Sequence, residues 1–110
     1  MVLKVYKLSG TITAGSSWSE IDKLVTPTGV TRRVKEIRVY FSSVGNVKIR
    51  LYHMTEYIAE IDSRVNDYLK LPYPADVEVR AGEWLTLEGS NSESSDVTVI
   101  VELIVDETTA

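Results

Sequence analysis

The chain has 110 residues, 44% of them hydrophobic and 25% charged, with a formal net charge of −4. That length suits one domain built around a single two-layer core, and a disordered chain would hold less Val, Ile and Leu. The lack of cysteine excludes disulfide scaffolds and cysteine-ligated zinc, and the acidic balance argues against nucleic acid and anionic lipid as partners.

The N-terminus, Met1-Val2-Leu3-Lys4-Val5-Tyr6-Lys7-Leu8, lacks the apolar run and small-residue cleavage site of a signal peptide. No window approaches the ~20 apolar residues of a membrane-spanning helix. Val2 to Thr13 reads as a strand broken near Gly10. Trp18 to Val25 has two readings. Trp18, Ile21 and Val25 have helical spacing with Ser17 as a cap, whereas an irregular strand would put Trp18, Glu20, Asp22 and Leu24 on one face. Pro27-Thr28-Gly29 closes this piece as a turn.

A strand then starts near Thr31 and aligns Ile37, Val39 and Phe41. Its basic run, Arg32-Arg33-Val34-Lys35 with Arg38 behind, is split by simple alternation: Arg33 and Lys35 on one face, Arg32 and Arg38 on the other. Nucleic-acid binders gather such charge on one face, so none is expected as a partner. Ser42 to Asn46 has the composition of a hairpin loop, with Gly45 and Asn46 for left-handed positions. In Asn46 to Met54, Val47, Ile49 and Leu51 alternate with Lys48, Arg50 and Tyr52. Glu56 to Val65 sets Tyr57, Ala59, Ile61 and Val65 against Glu60, Asp62 and Arg64. Val65 to Tyr68 reads as a turn before a short run to Leu71, and Pro72 and Pro74 around Tyr73 point to a connection or an edge.

Asp76 to Arg80 is a short strand with Val77 and Val79 on one face, followed by a turn in which Gly82 takes positive φ. Trp84 to Gly89 turns Leu85 and Leu87 inward and Trp84, Thr86 and Glu88 outward. Ser90 to Ser95 is the most loop-like, mobile-looking stretch. The clearest pattern comes last: Val97, Val99, Val101, Leu103 and Val105 on one face, Thr98, Ile100, Glu102 and Ile104 on the other. The first face is core. The second is half apolar, so Ile100 and Ile104 need a cover, either a loop or another subunit. About eight strands at this spacing predict an all-β antiparallel sandwich or barrel.

Candidate chemistry is sparse. His53 is the only histidine, and on a strand with Val47, Ile49 and Leu51 it reads as a packed or rim residue. Gly10 to Gly15 lacks the Gly-Lys-Ser/Thr of a phosphate loop, and no serine sits in a nucleophile turn. Glu60 and Asp62 share a strand face at about 7 Å, a spacing compatible with paired acids but also with two solvated ones. Asp62, Asp67 and Asp76 form no calcium-loop pattern. No cofactor or catalytic residue is expected. The aromatics Trp18, Trp84, Tyr40, Tyr52, Tyr57, Tyr68 and Tyr73 serve either a subunit contact or stacking on sugar rings.

Two stretches carry a resemblance. Leu24-Val25-Thr26-Pro27-Thr28-Gly29 leads into Val34 to Tyr40, and Val79-Arg80-Ala81-Gly82-Glu83-Trp84 leads through Gly89-Ser90-Asn91 into the Val-rich last strand. Together they resemble small jelly-roll modules of phage and archaeal-virus structural proteins, of the decoration, fibre or minor capsid type. The resemblance covers about half the chain and consists of turn chemistry. It implies a jelly-roll-like fold, a virion location, a non-catalytic assembly role and homo-oligomers, with other structural proteins as further candidate partners. Interface or ligand candidates are Trp84, Ile100, Ile104, Trp18 and Tyr73. The competing expectation is a carbohydrate-binding or adhesion module that uses the exposed rings.

Overall fold

Alternation of β-branched and polar residues dictates strands, and in a computed structural model that describes residues 2–64 and 77–109 the elements of regular structure are all strands. They are β1 (Val2–Ile12), β2 (Ser16–Val25), β3 (Val30–Phe41), β4 (Val47–His53), β5 (Glu56–Asp62), β6 (Val77–Val79), β7 (Trp84–Asn91) and β8 (Val97–Thr109). They form two four-stranded antiparallel sheets, β1-β8-β3-β6 and β2-β7-β4-β5.

The pairings reveal how the chain winds. β1 pairs with β8, β2 with β7, β3 with β6 and β4 with β5. One long antiparallel ribbon, folded at the β4–β5 turn, is therefore rolled into two layers. Contacts of β3 with β8 and of β4 with β7 close the roll. This is the eight-stranded jelly roll, in which the winding sets the two halves of the ribbon face to face as two sheets.

The core lies between the sheets. Val97, Val99, Val101, Leu103 and Val105 of β8 are each at most 1% exposed and face Leu85, Leu87, Ile49 and Leu51 of the other layer. β8 is the longest strand, with 13 residues, and β7 opposite has eight. The first sheet therefore extends past the second.

Irregularities in the ladder correct several sequence expectations. Trp18 to Val25 is strand, made irregular by register shifts between Ser16 and Ser19 and between Glu20 and Asp22; Trp18 and Val25 lie on the outer face and Ile21 between the sheets, so the three do not share a face. A bulge at Lys35, between Val34 and Glu36, changes the phase of β3. Arg32 and Val34 thus face inward with Ile37 and Val39, while Arg33 and Arg38 share the outer face, contrary to simple alternation. A bulge in β5 pairs Tyr52 with Tyr57, which sends Tyr57 outward and leaves Ala59 and Ile61 buried.

Two connections also differ. Ser42 to Asn46 is no hairpin: it carries the chain from the first sheet to the second, and the positive-φ glycines are Gly15, Gly29 and Gly82 rather than Gly45. The segment after Asn91 is tied down, because the buried Asn91 amide donates to Ile12 O and Ser95 O and its Oδ1 accepts from Glu93 N–H. Val65, the turn at 65–68, Tyr68, the run to Leu71, the prolines around Tyr73, Asp67 and Asp76 lie outside the described residues.

Gly10 does not break β1, which stays in register with β8 over its whole length. Its role is close approach. A Cβ there would fall inside the van der Waals radius of Ile21 Cγ2, and one at Gly89 would lie 2.5 Å from Ile21 Cδ1. Ile21 of β2 is thus clamped between two glycines, one in each sheet, and this clamp seals the seam between β1 and β2. Gly10→Ala is expected to destabilise the fold by about 1–3 kcal/mol, the usual cost of overpacking. Urea denaturation of the double variant with Ile21→Ala should give less destabilisation than the sum of the two single changes, since the second removes the atom the first strikes.

Candidate functional site

A sandwich of two layers has two outer faces, and the cross-strand register says which side chains meet on each. On the first sheet the outward rows are Ser9–Ile100–Tyr40, Lys7–Glu102–Arg38, Val5–Ile104–Glu36 and Leu3–Asp106–Arg33. Apolar and charged rows alternate. Leu3 is 67% exposed, Val5 55%, Tyr40 45% and Ile100 42%. Ile104 is half-buried beside Val5. Of the predicted interface residues, Ile100 and Ile104 therefore lie on one face, together with Tyr40 from the aromatic set and with Val5 and Leu3, which sequence reasoning passed over as contact residues.

The outer face of the second sheet is built differently. Trp84 is half-buried with Lys23 Nζ 4.5 Å from its ring centroid, and Trp18 is half-buried with the Arg50 guanidinium 3.9 Å from its ring. Arg50 Nε also donates to Glu60 at 2.8 Å. Each indole thus has one face occupied by a cation of the same chain. Tyr52 and Tyr57 meet edge to face at 5.9 Å. Beside them lies an open depression of about 290 Å³ lined by Tyr52, Met54, Thr55, Thr86 and Glu88. Tyr73, the remaining candidate, lies outside the described residues.

The charged groups mostly satisfy each other. Arg33 reaches Glu78 at 3.6 Å, Arg38 reaches Glu36 at 2.7 Å and Arg80 reaches Glu78 at 3.2 Å. Asp62, one of the two carboxylates noted at strand spacing, bonds Arg64, and the guanidinium holds its carboxyl at about 2. Its neighbour Glu60 is the partner of Arg50. His53 Nε2 lies 3.0 Å from Glu83 Oε1 at the sheet rim, and Glu83 is pushed below its usual range by the Arg80 backbone N–H and by His53. Among the described residues no group of three or more His, Asp or Glu is placed to hold a metal ion, and no helix is long and apolar enough to cross a membrane.

The densest polar cluster is internal. Where the first sheet outruns the second, the inward positions change from aliphatic to polar on three strands: Val105 gives way to Glu107, Val34 to Arg32, and Leu8 to Tyr6 and Lys4. Glu107 is 6% exposed. It accepts from Lys4 Nζ at 2.6 Å, from the Tyr6 hydroxyl and from Arg32 Nε at 3.1 Å. Arg32 also donates to Val25 O at 3.2 Å and lies 4.1 Å over the Tyr6 ring. Three donors converge on one carboxylate, so the cluster seals the end of the core. Its signal was present in the sequence: Glu107 continues the phase of Val97 to Val105, and a carboxylate on the core side needs a cation.

Compared with known proteins, the chain matches no family model, no curated protein and no solved structure.

The hydrogen bonds from Lys4, Tyr6 and Arg32 pull the Glu107 carboxyl from its ordinary 4.5 to about 2. The unfolded chain therefore takes up this proton first as pH falls. The stabilisation from Glu107 is complete above the ordinary carboxylate value and is lost as pH drops toward about 2. Glu107→Gln should lower the melting temperature at neutral pH, by ~5 °C or more. The gap to the parent should close between about pH 4.5 and pH 2; a gap independent of pH would mean that the carboxylate charge is irrelevant.

Proposed function

We propose that this protein is a non-catalytic assembly module that self-associates through the β1-β8-β3-β6 sheet. The observation that carries this reading is the outward Val5–Ile104 row with exposed Leu3 beside it, and the parallel Ile100–Tyr40 pair. Aliphatic side chains in cross-strand register on one face gain from a second surface, at roughly 25 cal/mol per Å² removed from water. The charged row of Lys7, Glu102 and Arg38 between them supplies register rather than strength. The resemblance of the turns to phage and archaeal-virus modules extends this reading to a virion component. Jelly rolls also serve lectins, so the fold by itself favours no role.

A second reading has its own observation. The depression beside Tyr52 offers a ring, the Thr86 hydroxyl and the Glu88 carboxylate in a space of about 290 Å³, the size and chemistry of a site for one sugar ring. In that reading Tyr52 takes the stacking role, because the tryptophans already carry Lys23 and Arg50.

Sedimentation at about 50 µM should give a homo-oligomer for the parent chain, and the double variant Val5→Lys, Ile104→Lys should weaken association at least tenfold, about 1.4 kcal/mol. A strictly monomeric parent would remove the assembly reading. For the second reading, NMR shifts should perturb Tyr52, Thr86 and Glu88 on titration with monosaccharides to ~50 mM, and Tyr52→Ala should abolish the perturbation; an unmoved spectrum across hexoses and N-acetylhexosamines would sink it.

A further inference from the structure

Among the described residues four strands are edges, β1 and β6 in one sheet and β2 and β5 in the other. An unpaired edge invites another chain, and proteins blunt such edges by shortness or bulges. β6 has three residues. β2 carries two register shifts and β5 carries one. β1 is different: eleven residues run in unbroken register against β8, with neither proline nor bulge, and of the two lysines that could blunt it Lys4 is held by Glu107.

The direction of its backbone groups follows from two hydrogen bonds. Ser9 N–H donates to Asp22 Oδ2 of β2, and so points away from β8. Ser42 N–H donates to Thr98 O on the opposite side of β8, which aims the even residues of β8 at β3 and its odd residues at β1. In an antiparallel ladder N–H and C=O of one residue point the same way. Leu3, Val5 and Lys7 therefore direct both groups outward from the sheet edge. Asp22 caps the edge at Ser9, and the part from Leu3 to Lys7 precedes that cap.

We infer that two copies of this chain pair along this edge, β1 against β1′, antiparallel about a two-fold axis at Val5. The inference rests on the assembly reading above and specifies its geometry. The axis at Val5 opposes Val5 to its own copy and Leu3 to Lys7 of the copy, and forms about six interchain backbone hydrogen bonds. It also sets Lys4 opposite Tyr6 of the copy, whereas an axis at Lys4 would oppose two lysines. On the outer face Ile104, Val5 and their two copies then form one apolar row across four strands, and the Lys7 stem lies beside exposed Leu3. A second copy is the occupant because a two-fold axis makes this edge complementary to itself in hydrogen bonding and in its apolar row.

The test uses the full chain and two single variants. Val5→Pro deletes an N–H that points out of the sheet edge away from β8, at an edge position where proline is tolerated. It should preserve the circular dichroism spectrum and raise the dimer dissociation constant at least tenfold in sedimentation. Ile100→Lys, one strand in from the edge, should leave the dimer within about threefold of the parent. A dimer that survives Val5→Pro but is lost in Ile100→Lys would overturn edge pairing in favour of face-to-face packing, and the assembly reading would stand. A monomeric parent would remove both. Should Val5→Pro unfold the chain, Leu3→Pro probes the same edge at the next outward N–H and decides by the same criterion.

Discussion

The structure depends on the two-faced alternation of β8. This strand lies between β1 and β3, and its inward row of Val97, Val99, Val101, Leu103 and Val105 is the floor against which the other sheet packs. Because β8 is central, both of its backbone edges are consumed by ladder bonds. Because the sandwich has only two layers, its other face has nothing of the same core above it. The residues at Ile100 and Ile104 are therefore placed on an outer surface by the same alternation that builds the interior. A slip of one residue would exchange the two sets, and the five aliphatics of the inward row would lose more than the outward isoleucines could gain. Core formation fixes the register, and the register fixes the outer face.

The ends of the first sheet follow from its length. Strands that outrun their partner layer present inward positions without an apolar lid, and the chain places Arg32, Glu107, Tyr6 and Lys4 there. A buried carboxylate with one cation is a poor stabiliser relative to an apolar pair, but one that accepts three donors is held firmly in its charged form. The Arg32 guanidinium adds a bond to Val25 O, which links the end of β2 to the first sheet. The polar cluster thus joins the two layers where the aliphatic core stops. Gly10, Ile21 and Gly89 do the same at the β1–β2 seam by shape alone.

Much of this was legible in the sequence wherever a strand kept strict period two. The faces of β4, β7 and β8 were readable directly, as were the turns at Gly29 and Gly82, because positive φ there demands glycine. Reading failed where a bulge intervened. The extra residue at Lys35 moved Arg33 and Arg38 onto one face, the one in β5 moved Tyr57 outward beside Tyr52, and those in β2 interrupted its period of two. A bulge inserts a residue without a composition signal, so every face assignment beyond it inverts. The Ser42 to Asn46 loop misled for another reason: turn residues report that the chain reverses, not which strand it pairs with next. In a jelly roll the sequence neighbours β3 and β4 lie in different sheets, and only the long-range pairings distinguish this from a hairpin. The outward isoleucines were found because alternation exposed them; Val5 and Leu3 were not singled out, because their importance comes from a register with β8 that spans nearly the whole chain.

The two outer faces differ in how their large side chains are satisfied, and that difference carries functional weight. On the second sheet Trp84, Trp18, Tyr52 and Tyr57 each have a ring or a cation against them. These contacts hold amphipathic rings at a water-exposed surface without a partner molecule. On the first sheet Leu3, Val5 and Ile100 are aliphatic and have no polar atom through which water or a cation could compensate their exposure. Scattered aliphatics would mean little on any surface. Here the register places them in rows, beside the one edge strand that lacks a bulge and has more than three residues. A backbone edge ready to extend the sheet and an apolar row ready to continue across it are two separate features of β1. One two-fold contact satisfies both, which neither a small ligand nor a face-to-face contact does. The proposed pairing leaves the aromatic face free, because that face belongs to the other sheet of the sandwich.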